Sequence, residues 1–117
     1  MSYDLRIGVK VEGTGKIVMI AEPTLANPTY NLGDMFRACM GWNYKQGEYY
    51  KCADVIGNIA SGIKELRTNR KQYAKFEPSN GWGTISGALN TLESLWECIN
   101  ETAEYNDLSL ENLYIAW

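Results

Sequence analysis

The 117-residue sequence predicts an α+β domain. The expected architecture is a three-stranded antiparallel sheet, an N-terminal hairpin plus a C-terminal strand. One face of it is packed by a short helix and a long antiparallel helical hairpin. Three observations lead there. Apolar residues alternate with polar ones near the N terminus, and Leu113, Ile115 and Trp117 alternate near the C terminus, the period of a half-buried strand. Two stretches in the second half carry apolar residues at steps of three and four, the seam of a helix that faces a partner. Only a few residues, FEPSN, connect those two stretches, which makes them antiparallel neighbours.

The elements follow in order. In YDLRIGVKV, Tyr3, Leu5, Ile7, Val9 and Val11 share one face against Asp4, Arg6, Gly8 and Lys10. EGTGK reads as a turn and KIVMIAE as a second strand rich in β-branched residues. PTLANPTYN, with two prolines, is a loop. Asn31 is expected to cap a short helix, with Asp34 in a loose capping-box position. The long helix is expected over roughly residues 48–75. Its inner positions would be Cys52, Ile56, Ile59, Ile63, Leu66, Arg70 and Tyr73. Pro78 would stop it. Asn80 or Thr84 would cap the last helix, with inner positions Trp82, Ile85, Leu89, Leu92, Trp96, Ile99 and Ala103. Gly83 and Gly87, four apart, would let the two backbones approach. Leu113, Ile115 and Trp117 alternate as a returning strand.

Composition narrows the chemistry. Hydrophobic residues make up 45% of the chain, enough for a core without disulfide or metal staples, and 1–117 reads as a single domain. Three cysteines without a CxxC pair argue against a disulfide framework and fit a reducing compartment. Charges at Asp4, Arg6 and Lys10 interrupt any signal-peptide core, and the apolar run IVMIA is far short of a membrane span. The expected location is therefore the cytoplasm, with no membrane partner. Histidine is absent, so Ser-His and Cys-His nucleophile pairs and Cys₂His₂ zinc sites are excluded. GTGK at residues 13–16 lacks the upstream glycine and the Ser/Thr of a P-loop and reads as a hairpin turn. No cofactor, metal or catalytic residue is expected.

PTYNLGDMFRACMGW and NRKQYAKFEPSNGWGTISGALNTLESLWECI resemble segments of a family of small uncharacterised bacterial and phage proteins. Members begin on a Tyr-Asp-leading strand. They carry a Thr-Tyr-Asn segment before a short helix, here Thr29, Tyr30 and Asn31. Before the last helix comes an Asn-Gly-Trp-Gly segment, here Asn80, Gly81, Trp82 and Gly83. Glu77 stands where the family more often has Asn. The resemblance implies a phage or mobile-element origin and nothing catalytic.

Three constellations are candidates for function. Lys64, Arg67, Arg70, Lys71 and Lys75 crowd the end of the long helix against Glu65. Cations there complement the helix dipole, so the plain reading is a solvated terminus. The functional reading is an anion site shared with Asn80, Gly81 and Trp82 at the start of the last helix, where free N–H groups favour negative charge. Glu93, Glu97, Glu101 and Glu104 form an acidic stripe expected to lie too far off to neutralise those cations. That stripe reads as a solubilising face, because a net charge of −3 gives only a modest field. The aromatics Tyr30, Trp42, Tyr44, Tyr49 and Tyr50 are core or interface anchors. Tyr30, Asn31, Trp42 and Tyr49 are the interface candidates.

The expected function is a non-catalytic binding protein acting in host–phage conflict by occupying a host protein. That role rests on the resemblance. The alternative is a sponge for an anionic small molecule, such as a nucleotide signal, held at Arg67, Arg70, Lys71 and Trp82. Nucleic acid is not expected as a partner.

Overall fold

The computed structural model describes residues 1–117. Eight elements follow one another: β1 (Arg6–Lys10), β2 (Ile17–Ala21), α1 (Gly33–Met40), β3 (Tyr49–Lys51), α2 (Cys52–Thr68), α3 (Arg70–Tyr73), α4 (Ile85–Tyr105) and β4 (Leu113–Ala116). Short 3-10 turns precede α1 and β4 and follow α3. No helix is long and apolar enough to cross a membrane.

The sheet is antiparallel, with four strands rather than the expected three, in the order β2-β1-β4-β3. The added strand is β3, in residues expected to open the long helix. Its pairing of Tyr50 with Ile115 closes the β4 edge. Strand alternation sorts side chains between two faces. Ile7 opposite Ile115 and Val9 opposite Leu113 point at the helices, and Ile7, Leu113 and Ile115 are fully buried there. β2 is bulged where its register shifts opposite Ile7 and Gly8. It extends past the helical cover, so Val18 and Ile20 stay exposed.

α2 lies against α1, α4 and β4 and organises the core, one cluster of 23 buried residues. Its N–H ladder stops at Thr68 rather than near Lys75. Asn69 leaves helical geometry (φ −123°, ψ 37°), and its side chain donates to the Glu65 carboxylate at 2.8 Å. α3 restarts on a new phase, so Arg70 is exposed and off the seam, while Tyr73 is buried and donates its hydroxyl to Glu65 at 3.2 Å.

α4 begins at Ile85, capped by Thr84 Oγ1, which accepts from the Gly87 N–H at 2.9 Å. Trp82 precedes the helix and is 70% exposed, and Trp96 on the helix is 41% exposed. Neither is a seam residue. The buried face runs Ile85, Ala88, Leu92, Leu95 and Ile99. The close approach between helices is made at Gly62 of α2, where an added Cβ would lie 2.7 Å from Met40 and 3.0 Å from Leu92. Gly83 instead fits against Leu32, and Gly87 lies beside its own cap Thr84. Asn31 caps nothing. It sits inside the first 3-10 turn, and Thr29 Oγ1 accepts its N–H at 3.3 Å.

Trp117 ends the chain as the hub of an aromatic cluster. It stacks on Tyr44 at 4.3 Å and meets Tyr3, Phe36 and Trp42 edge-on or tilted. Its buried indole N–H has no hydrogen-bond partner, a desolvation cost set against the ring contacts around it.

Candidate functional site

The cationic end of the helical hairpin is a shallow bowl of about 460 Å³, bordered by Arg67, Asn69, Arg70 and Lys71. The break at Asn69 brings those cations together by turning Arg70 and Lys71 out of the α2 phase. The acidic stripe reaches them after all: Glu93 pairs with Arg67 at 3.2 Å. The helices are antiparallel and α4 extends along the whole of α2, so an early α4 carboxylate lies level with the α2 terminus. Arg70 donates to Ser86 Oγ at 2.7 Å.

Trp82, Asn80 and Gly81 do not line this bowl. Asn80 Oδ1 accepts the Trp82 N–H at 2.9 Å and Gly81 adopts a left-handed φ of 78°, so the three residues form a local turn. The α4 N terminus has its own anion. The Ile85 N–H donates to a Glu77 carboxylate oxygen at 3.1 Å, beside the Thr84 cap. Glu77 is the position where the sequence departs from the resembled family. The sequence reading missed its role because it lies eight residues upstream of the group it caps.

The interface candidates separate into two groups. Tyr30 is half-buried against the edge of Tyr3 at 4.7 Å, and its hydroxyl accepts from Gln46 Nε2. Trp42 is half-buried between Tyr44 and Tyr50 at 5.6 and 4.9 Å. Both belong to the Trp117 cluster, with exposed Asn31 at its margin. Tyr49 stands apart, 52% exposed, on the sheet face turned away from the helices.

That open face is the other candidate site. Register puts Tyr49 beside Ala116, Lys51 and Gly8 on either side of Tyr114, Met19 beside Gly8, and Ile17 beside Lys10. Gly8 is the one buried residue among them, because Ile17 and Met19 close over it. Lys10 lies over the Tyr114 ring at 5.3 Å. The rim is ionic. Arg6 bridges Asp4 at 2.7 Å and Glu22 at 2.9 Å, and Lys51 reaches Glu111 at 3.8 Å. Of this face, Tyr49 alone is a candidate from the sequence. The available signal was in IVMIA, where Ile17 and Met19 alternate with Val18 and Ile20, so β2 is apolar on both sides.

The cysteines are free. Burial pushes the thiols of Cys39 and Cys52 up to about 12, and burial also raises Cys98. A thiol held protonated is a poor nucleophile. Burial, reinforced by the bond its hydroxyl donates to Tyr3 at 2.8 Å, raises Tyr44 as well. No three of Cys, Asp and Glu come together as a metal cluster.

Comparison with protein-family models, with curated proteins and with solved structures finds no match for the chain.

Proposed function

We propose that this is a non-catalytic binding protein that docks on a protein partner through the open face of its sheet. The observation that carries the reading is the composition of that face. Tyr114 stands on the inner strand β4, Tyr49 on the β3 edge and Ile17 and Met19 on the β2 edge, and the Arg6 and Lys51 ion pairs lie among these apolar and aromatic side chains. Exposed aromatic anchors with charge beside them are what protein interfaces use. The absence of histidine and the raised thiols of Cys39 and Cys52 support a role without nucleophilic chemistry. On the resemblance, the proposed partner belongs to the host side of a phage or mobile-element conflict in the cytoplasm.

The test is affinity capture from bacterial lysate with quantitative mass spectrometry. The wild type should enrich a small set of proteins. The Tyr49→Ser, Tyr114→Ser double variant should lose them while keeping the wild-type melting temperature. Equal enrichment by both proteins refutes the reading.

A second reading is a sponge for an anionic small molecule in the bowl at Arg67, Arg70 and Lys71. What favours it is the convergence of these cations around one concavity. Against it, Arg67 is already paired with Glu93, the α4 amide Ile85 N–H is already bonded to Glu77, and Trp82 offers no stacking wall. A thermal-shift titration with nucleotides decides. Stabilisation that Lys71→Ala removes supports the sponge, and no shift for the wild type ends it.

A further inference from the structure

A groove of about 470 Å³ runs along the outer surface between α2 and α4. Its apolar lining is Ala60, Ile63 and Trp96. Its walls carry opposite charge: Lys64 and Arg67 on α2, Glu93 and Glu97 on α4. The bond from Arg70 to Ser86, the Arg67–Glu93 ion pair and the approach of Gly62 to Leu92 set the two helices antiparallel.

We infer that this groove is an interface for a second copy of the chain. A two-fold axis along the groove, midway between the helices, would lay α2 of each copy over α4 of the other. The levels along the axis are unchanged by that rotation. Lys64 and Arg67 of one copy therefore meet Glu93 and Glu97 of its partner, and the reverse contact follows by symmetry. The same operation sets each Trp96 against the partner's Ala60 and Ile63. A large aromatic left 41% exposed in the middle of a helix then becomes a central anchor. Arg67 and Glu93, with side chains 57% and 37% exposed, keep enough freedom to exchange their bond within one chain for bonds across the interface. The result is a four-helix layer with an open sheet face on either outer side. A foreign partner would need the same division of charge on two parallel ridges; a second copy has it by construction.

This inference is independent of the sheet-face reading, and its test uses different residues. Sedimentation equilibrium of the full chain in the micromolar range should give twice the 13.2 kDa chain mass. Lys64→Glu with Arg67→Glu makes both walls acidic and should give 13.2 kDa. Glu93→Lys with Glu97→Lys makes both walls basic and should do the same. An equimolar mixture of the two variants restores complementarity and should return the doubled mass. A monomeric wild type, a dimeric reversal variant, or a mixture that stays monomeric each overturns the proposal. If a reversal variant fails to fold, Trp96→Ser takes its place. It should weaken self-association by about tenfold or more with little change in melting temperature, and unchanged self-association would overturn the proposal equally. Tyr49→Ser with Tyr114→Ser should leave the dimer intact, which keeps a failure here separate from a failure of the sheet-face reading.

Discussion

Alternate residues of the same strands serve opposite faces of the sheet. Towards the helices stand Ile7, Leu113 and Ile115, with no surface left to water. Away from them stand Lys10, Tyr49, Lys51 and Tyr114, which keep theirs in part or in full. Tyr114 and Ile115 are adjacent in sequence, yet one belongs to the core and the other to solvent. The period of two lets stability be carried by one set of positions and recognition by the other. A face with little role in holding the fold together is free to be shaped for a partner.

The sharpest test of that division compares the two neighbours. Ile115→Ala should destabilise by about 2–5 kcal/mol, because it removes buried methyl groups and leaves a cavity. Tyr114→Ala should cost less than about 1 kcal/mol, chiefly through the lost contact with Lys10. Urea denaturation gives both values. Equal costs would mean that the open face is also structural.

Alkaline pH attacks the covered side through its buried thiols and phenol. Cys39 and Cys52 rise from an ordinary 9.0 to about 12 on folding, and Tyr44 is raised above its ordinary 10.0. For an acid the raised value means that the native state holds its proton longer than the unfolded chain does. The stabilisation is therefore complete below pH 9 and is lost progressively from there towards pH 12. Melting temperatures should be insensitive to these groups near neutrality and fall steadily above pH 9. Cys52→Ala should make that fall shallower. A decline of the same slope in that variant would assign the loss to the remaining groups.

How much of this was legible in the sequence differs between elements. β1 and β4 announce themselves by alternation, and β2 by its β-branched run IVMIA. β3 is three residues long and runs directly into α2, so the periodicity of the helix absorbed it. The α4 seam shows a subtler failure. The expected walk and the observed one share Ile85, Leu92 and Ile99, which lie seven apart. Between those fixed points a helix can turn its i+3 or its i+4 residue inward. The expected walk turns Leu89 and Trp96 inward, whereas the structure buries Ala88 and Leu95. The exposed tryptophan was thus misread as core because hydrophobicity alone does not record which side the neighbour comes from. The cationic cluster was legible as a cluster. Its neutralisation by Glu93 was not, because it depends on how far α4 extends along α2, nor was the capping by Glu77, which the loop brings back from eight residues upstream.

Gly8 is the exception on the open face, and it offers an intermediate effect. A Cβ there would stand 2.7 Å from the Val18 carbonyl oxygen and 2.8 Å from Ile17. The first contact is with backbone, so relief requires β2 to shift. Gly8→Val should cost about 1–3 kcal/mol, between the effects at Ile115 and Tyr114. If Gly8→Val melted like the wild type, β2 would be looser than its pairing with β1 implies, and the open face would lose its Ile17 and Met19 platform.

The smallest effect belongs to the rim. Arg6 meets Asp4 and Glu22 and also donates to the Leu5 carbonyl at 2.8 Å, a dense set of contacts for one side chain. Its carboxylate partners are mostly exposed, with side-chain exposures of 69% and 60%. Water and salt therefore screen the attraction, and ordering the side chains offsets part of it. Arg6→Met keeps the aliphatic stem over the sheet and deletes the charge. It should change stability by less than about 1 kcal/mol, and that small change should vanish in high salt. A guanidinium held by two carboxylates is also pre-aimed. If the open face docks a protein, the same substitution should slow association and reduce its salt dependence more than it speeds dissociation. Stopped-flow association with the captured partner separates the two rates. A purely structural rim would lower the melting temperature and leave the association rate where it was.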